Sequence, residues 1–290
     1  MQLVAGATGS LGGKIVQELR ARGHSVRALA RNGATVAPLV QAGATVVIGD
    51  LKDPATLAPA CEGVDVVIST ASISKRGDDT PENIDLRGNQ HLIDAARRAG
   101  VRHFVLVSTL GASMDSPVPV FRAKAGAEAY LKASGLEYTI LQPTAYMDVW
   151  FPMLIEMPVS IGQPVTLVGE SRRRHSFIAE RDVAHFAVAA PAPPAARNVT
   201  LVIGGPDALT FRDAVHAYEE AIGRPIPIRS VAPGAPIPGV AEPVWPIAAA
   251  LESFDSPVPM EDTSRRFGVS LTSALDFARN SAIATRSVPA

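Results

Sequence analysis

Three glycines, Gly6, Gly9 and Gly12, stand at G-x-x-G-x-x-G spacing in Gly6-Ala7-Thr8-Gly9-Ser10-Leu11-Gly12. An apolar run, residues 2–5, precedes them, and an amphipathic pattern with Ile15, Val16 and Leu19 follows. A strand, a glycine-rich turn and a helix in that order are what a dinucleotide pyrophosphate needs. Gly6 permits a tight exit from the strand. Gly9 lacks a Cβ, so the backbone can approach phosphates. Gly12 lets the helix lie close to the strand. The loop residues Thr8, Ser10 and Leu11 and the N–H groups of the helix start then face the anion.

Further candidates follow the other apolar runs, because ligands of such folds bind beyond the carboxyl ends of the strands. The second run ends in Ala30-Arg31-Asn32. An arginine here, in place of an acid, suits a 2′-phosphate and so predicts NADP(H); the alternative is a solvated arginine at a strand end. Lys14 and Arg27 either add positive potential or are plain surface charges. Asp50 and Leu51 follow the third run, where a carboxylate can accept from an adenine amino group while Leu51 packs on the ring. Asp50 serves equally well to end the strand. Thr70 and Ala71, small residues, let a cofactor pass close to the fourth. Ser108 and Thr109 follow the fifth, and the next helix carries Phe121, Lys124 and Glu128 on one side. Lys124 can hold the nicotinamide ribose and donate a proton, or pair with Glu128 at the surface. After the sixth run, Pro143, Thr144, Tyr146 and Met147 border the expected substrate position. With Trp150 and Phe151 they form either an apolar wall for a flat molecule or ordinary packing. Arg172-Arg173-Arg174-His175 is the clearest basic cluster and reads as a solvated turn.

The elements that must position these residues alternate. Strands at residues 25–30, 44–48, 64–69, 103–108 and 136–141 are separated by helices at 35–42, 81–100 and 118–134. The strand at 44–48 is β-branched and apolar, hence expected to be buried. Such a pattern predicts an α/β fold, a doubly wound parallel sheet with helices on both faces. Past Pro143 prolines are frequent and segments short. Strands are expected at 165–168, 176–178, 198–203 and 226–231, and helices at 181–190, 211–222, 244–254 and 271–278. The domains are therefore a dinucleotide-binding part, residues 1–145, and a smaller α+β substrate lobe, residues 146–290, some of whose elements can return to the main sheet. The last residues are expected to fray.

With 27 basic and 28 acidic residues, the net charge of −1 argues against a nucleic-acid surface. The single cysteine, Cys61, excludes an internal disulfide and reads as a small buried residue. Together with the lack of a signal-peptide pattern it points to a cytoplasmic protein. No apolar run approaches a membrane span, and no histidine spacing suits a metal site.

The chain resembles the NmrA-like branch of the atypical short-chain dehydrogenase/reductases. The resemblance is carried by the glycine loop, Gly49-Asp50-Leu51, Asp85-Leu86-Arg87-Gly88-Asn89, Lys124, the run Ser134 to Pro143, and Phe177-Ile178-Ala179-Glu180-Arg181-Asp182-Val183-Ala184. It implies a Rossmann sheet, NADP(H) preference and a small substrate lobe. The larger superfamily uses a Tyr-x-x-x-Lys pair, whereas Val120 and Phe121 stand four and three residues before Lys124. The family's usual Arg-Pro is Gln142-Pro143 here. The expected function is an NADPH-dependent reductase of a small, apolar, electron-poor substrate such as a quinone or enone. Phe121, Thr109, Thr144, Tyr146 and Met147 are its candidate contacts, and Lys124 the candidate proton donor. The alternative is a non-catalytic NADP(H) sensor acting through a protein partner. Association as a homodimer stays open.

Overall fold

The computed structural model describes residues 1–74 and 77–283; the chain end expected to fray, residues 284–290, lies outside the described residues. The first half runs β1 (Gln2–Ala5), α1 (Ser10–Ala21), β2 (Val26–Ala30), α2 (Ala37–Gln41), β3 (Thr45–Ile48), α3 (Leu57–Cys61), β4 (Val66–Ser69), α4 (Arg87–Arg98), β5 (His103–Val107), α5 (Pro119–Ala133) and β6 (Glu137–Pro143). The rest runs α6 (Met147–Phe151), α7 (Met157–Ser160), β7 (Val165–Val168), α8 (Glu180–Ala189), β8 (Val199–Ile203), α9 (Phe211–Ile222), β9 (Ile228–Val231), α10 (Trp245–Leu251), α11 (Glu261–Phe267) and α12 (Ala274–Arg279). Two compact units form. One comprises Met1–Pro143, Val183–Val202 and Arg266–Val269; the other comprises Thr144–Asp182, Ile203–Arg265 and the chain from Ser270 onward.

The first unit holds a seven-stranded sheet in the order β3-β2-β1-β4-β5-β6-β8. Strands β1 to β6 pair in parallel, with Val4 opposite Ala28 on one side and Ile68 on the other. β8 returns from the second half of the chain to lie beside β6. The order reverses direction between β1 and β4, and a crevice opens at such a switch point beyond the strand ends. Central strands are covered on both faces, so Leu3, Val4 and Ala5 are fully buried. β3 is different. It was expected to be buried, yet Thr45 and Ile48 are exposed because it is the edge strand. α4 presents Leu92, Ile93 and Ala96 to the core, and α5 presents Ala123, Ala127 and Leu131. A π-helical turn, Pro81–Leu86, leads into α4 and is capped reciprocally by Thr80 and Asn83. Cys61 is wholly buried, and burial pushes its thiol up to about 11 against a smaller opposing pull from Arg27. It is an inert packing group.

The second unit is built on an aromatic core. Phe151 lies 5.2 Å from Phe177 and 6.2 Å from Tyr218, and Phe177 lies 5.0 Å from Phe211, between ring centroids. β7 and β9 form a small parallel sheet. Residues 176–178 form no strand: Ile178 makes an isolated bridge with Tyr146, and the preceding His175 makes one with Leu209. The Phe177–Ala184 run is structural at Asp182, whose carboxylate is buried and accepts from both the N–H (2.7 Å) and the hydroxyl (2.8 Å) of Thr272. The three arginines of the basic cluster are solvated, as expected, and make surface ion pairs. Arg172 pairs with Glu170, Arg173 with Asp255 and Arg174 with Asp213. His175 is fully buried; its Nε2 donates to the Leu251 carbonyl (3.0 Å), so Nδ1 accepts from Ser256 Oγ (2.7 Å). α11 was not anticipated from the sequence.

The β1–α1 junction makes a stability prediction. A Cβ on Gly12 would stand 2.1 Å from the Gly6 carbonyl oxygen and 2.8 Å from Ala7 Cα, whereas the nearest atom to one on Gly13 is 3.8 Å away. Gly12→Ala is expected to cost about 1–3 kcal/mol through overpacking. Gly13→Ala, in the same helix, is expected to gain up to about 1 kcal/mol from helix propensity. Urea unfolding of the two variants checks both signs.

Buried histidines set an acid limit. Burial lowers the pKa of His175, with the Leu251 carbonyl and Asp255 opposing it, and burial likewise lowers that of His103, with Glu137 opposing. The folded rings resist protonation, so below the unfolded histidine value of about 6.5 the unfolded chain binds more protons. The stability they contribute is complete above that pH and is lost as pH falls through it. Unfolding at pH 5.5 should therefore take up protons, and His103→Gln should reduce the uptake by up to about one proton in a pH-stat or calorimetric measurement.

Candidate functional site: a dinucleotide cradle at the strand ends

The glycine turn leaves β1 through Gly6, whose φ of +80° is left-handed. A Cβ there would stand 2.5 Å from Thr70 Oγ1 and 3.0 Å from the Ala71 nitrogen, so the ends of β1 and β4 meet closely. Thr70 Oγ1 in turn donates to the Ala5 carbonyl at 3.2 Å. α1 then starts at Ser10 with Gly9 as its N-cap. No side chain caps this end, and no acidic residue occupies its first turn. A helix start of this kind presents backbone N–H groups and the positive end of the helix dipole, which fits it to hold a pyrophosphate. Thr8, Gly9 and Ser10 are exposed and Leu11 partly so. Lys14 donates to Ser10 Oγ at 2.8 Å. Arg27 does not serve here: its guanidinium donates to the carbonyls of Ala60 (2.8 Å) and Glu62 (2.7 Å), clamping the end of α3.

Beyond β2 and β3 lies a cavity of about 360 Å³, bordered by Arg31, Asn32, Gly49, Asp50, Lys52 and Gly77 among others. Asp50 Oδ1 accepts the Lys52 N–H at 2.9 Å, which tightens the turn after β3. Leu51 is buried in the core of this unit, where Gly88 of α4 makes room for it. Arg31 is not a loose surface charge. Its Nη1 donates to both oxygens of Asp79 (3.1 and 2.8 Å) and its Nη2 to Ser74 Oγ (3.0 Å). Lys52 Nζ sits 2.6 Å from Asp78 and 3.4 Å from Asp79. Asp79 is 2% exposed at its side chain. Burial works to raise its pKa, but the hydrogen bonds from Ser74 and Arg31 and the Arg31 charge outweigh this and hold it below the ordinary carboxyl value. Sequence reading passed over Ser74, Asp78 and Asp79; the adjacent acids after the fourth strand were the available signal.

Lys124 is placed differently from the surface pair with Glu128. Its Nζ lies 3.1 Å from Asp85 Oδ1, and Asp85 is fully buried. Asp85 also accepts from Ser72 Oγ (2.6 Å) and from the Ile73 N–H (3.0 Å). The carboxylate thus joins the loop after β4 to α5 and fixes the lysine head. Glu128 turns elsewhere: it is buried and accepts from Ser108 Oγ (2.5 Å) and from Gln142 Nε2 (2.9 Å). Ser108 and Gln142 are therefore held by a carboxylate one turn beyond Lys124. Phe121 is partly exposed against Gly111, Thr109 is partly exposed, and Pro143 is buried with its carbonyl accepting the Leu110 N–H. Asn89 caps the π-helical turn through the carbonyls of Ile84 and Asp85.

In the second unit, Thr144 is buried and its hydroxyl donates to the Ser176 carbonyl. Tyr146 is partly exposed. Burial of its phenol, reinforced by Glu180 and Asp148, raises its pKa well above the ordinary tyrosine value, so it is a neutral phenol. Met147 (1% exposed), Trp150 and Phe151 belong to the aromatic core, and the wall reading of Trp150 and Phe151 gives way to packing. Among the described residues no group of three or more His, Cys, Asp or Glu side chains is arranged to hold a metal ion. Nor is any helix among them long and apolar enough to cross a membrane.

A doubly wound sheet with an uncapped helix start at its switch point defines a dinucleotide-binding protein of the Rossmann type. The chain belongs to the NAD(P)H-binding family, whose model matches residues 6–194. It is 33% identical over 226 residues to the NAD(P)H azoreductase of Xenophilus azovorans, which covers 78% of this chain and 75% of that protein. It is 29% identical over 234 residues to the photosystem II assembly factor Ycf39 of Trieres chinensis, covering 79% of this chain and 71% of that protein. Among solved structures it superposes on the NADPH complex of the quinone oxidoreductase QOR2 from Escherichia coli with a TM-score of 0.79, at 20% identity, over 96% of this chain and 98% of that one. The NADP(H) complex of Citrobacter sp. triphenylmethane reductase gives 0.77 at 20% identity, over 99% and 100%. At such identities the structural likeness is one of fold.

The Lys124–Asp85 pair predicts a coupled stability effect. Lys124→Met leaves a fully buried carboxylate without its cation and should cost about 3 kcal/mol or more. Adding Asp85→Asn removes the stranded charge and should recover part of the loss. Denaturant unfolding of both variants measures the difference.

Proposed function

We propose that the chain is an NADPH-dependent reductase acting on a small, apolar, electron-poor acceptor such as a quinone, an enone or an azo compound. The observation that carries this reading is the make-up of α5. It holds Lys124 rigidly through Asp85 and has Val120 and Phe121 where a tyrosine proton donor would stand. When bound, the reduced nicotinamide supplies a hydride. The chain's own part is then positioning. The α1 start and the glycine turn hold the pyrophosphate, Arg31 with Lys52 holds the 2′-phosphate, and Asp50 faces the adenine side. Lys124 holds the nicotinamide ribose, and Phe121 and Thr109 offer an apolar surface with one hydroxyl. An acceptor that becomes a stabilised anion on reduction needs only a weak proton source. Solvent or the Lys124 ammonium suffices, and no phenol is required. A carbonyl such as a simple ketone would demand a stronger acid and is a poor fit.

A second reading has its own support. One relative is named a photosystem II assembly factor; a chain with a role in assembly would keep the cradle without turning over any acceptor.

One experiment separates the two. NADPH oxidation is followed with a panel of quinones, enones and azo dyes, for the wild-type chain, Lys124→Ala and Lys124→Arg. Turnover by wild type, reduced tenfold or more in Lys124→Ala and partly kept in Lys124→Arg, supports the reductase. Micromolar or tighter NADPH binding with no turnover on any member of the panel favours the partner-acting chain.

A further inference from the structure

The Arg31 site already contains an anion, and it belongs to the protein. Asp79, from the segment after β4, meets Arg31 Nη1 with both carboxylate oxygens at 3.1 and 2.8 Å. Ser74 Oγ donates to Asp79 Oδ2 at 2.6 Å and accepts from Arg31 Nη2 at 3.0 Å. Lys52 Nζ approaches Asp79 Oδ1 at 3.4 Å and Asp78 Oδ1 at 2.6 Å. A guanidinium fork, an ammonium and a hydroxyl around one anion are the donors a phosphate monoester would use. Here a carboxylate uses them.

We propose that Asp79 is a built-in competitor for the 2′-phosphate of the cofactor, and that this side chain sets how strongly the chain prefers NADPH over NADH. The inference rests on the reading of Arg31 as the 2′-phosphate contact. Among the described residues two cations, Arg31 and Lys52, face two acids, Asp78 and Asp79, so these four charges are already paired with one another before any ligand arrives. A 2′-phosphate brings about −1.5 to −2 more charge. It must displace the carboxylate from Arg31 or sit beside it against like-charge repulsion. A 2′-hydroxyl brings no charge and competes for neither cation. The cost of Asp79 therefore falls on NADPH alone, and the preference given by Arg31 is held below what the arginine would confer unopposed. Asp78 differs from Asp79 in a way that makes it a control: its side chain is 82% exposed and its ion pair is with Lys52.

The test titrates the full chain with NADPH, NADH and adenosine 2′,5′-bisphosphate, for wild type, Asp79→Asn, Asp79→Ser, Asp78→Asn and Arg31→Ala. Both Asp79 variants are expected to bind NADPH and the bisphosphate about tenfold more tightly, with NADH changed less than twofold. Asp78→Asn is expected to fall well short of that gain. Arg31→Ala is expected to weaken NADPH and spare NADH. If Arg31→Ala behaves so but neither Asp79 variant tightens NADPH relative to NADH, the competitor is overturned and the Arg31 contact stands. If Arg31→Ala weakens both cofactors equally, the Arg31 contact itself is overturned and the competitor with it.

Discussion

Everything at the cofactor end depends on one close approach, the backbone of Gly12 against the carbonyl of Gly6. That distance leaves no room for a Cβ. It draws the first turn of α1 over the end of β1 and so aims the helix start past the strand. The same turn brings Gly6 against Thr70 and Ala71, which draws the loop after β4 toward β1. A helix start lacking a side-chain cap and first-turn acids is incomplete on its own. An anion completes it, and the sheet order places it at the reversal between β1 and β4. The anion affinity of this end is thus a consequence of packing, reinforced by charge.

Charge is distributed around that turn in two clusters of unequal worth. Asp85 and Lys124 are buried or nearly so, and their pairing links α5 to the loop after β4. Breaking it strands a charge in the interior, which costs far more than the pair itself contributes. The Lys52–Asp78 pair is exposed at the acid, where solvent screens such contacts and they contribute little. Arg31–Asp79 lies between these limits, with a buried acid and a one-third exposed arginine. Under the proposal made above, it is the pair that a 2′-phosphate would have to displace. The Asp85–Lys124 pair acts as a structural anchor between α5 and the loop after β4.

The sequence made the cradle legible because its information is local. Glycine spacing, a preceding apolar run and a following amphipathic helix lie within twenty residues. Strands β1, β4 and β5 were readable for the same reason, each being largely apolar on both faces, and β6 was readable from its Ile140-Leu141 pair and the Pro143 that stops it. β3 misled because a β-branched apolar run looks alike at a sheet centre and at an edge; only the strand order distinguishes them. Glu128 misled because helical spacing permits the Lys124 pair, while Ser108 and Gln142, distant in sequence, take the carboxylate inward. Trp150 and Phe151 follow a strand end, which suggested a wall, yet the aromatic core of the second unit claims them. Asp79 was passed over because the adjacent acids mark a charged loop but not its partner: the carboxylate reaches Arg31 across 48 residues of chain, and no local pattern encodes that contact.

What the family shares and what it varies then separate on physical grounds. Holding a dinucleotide requires close backbone approach and an open helix start, and both are set by glycines that tolerate little change. Chemistry on an acceptor requires only that its electrophilic atom be held near the carrier and that a proton be found for the product. Where the acceptor is electron-poor, the stabilised anion it forms removes most of the demand for an acid. An enzyme of this kind can therefore lose the tyrosine and keep its activity, and it can lose its activity without changing the cradle. Chains with one cofactor grip can in that way include reductases and partner-acting proteins alike. The distinction between them lies in whether anything competent to accept a hydride is held over the nicotinamide.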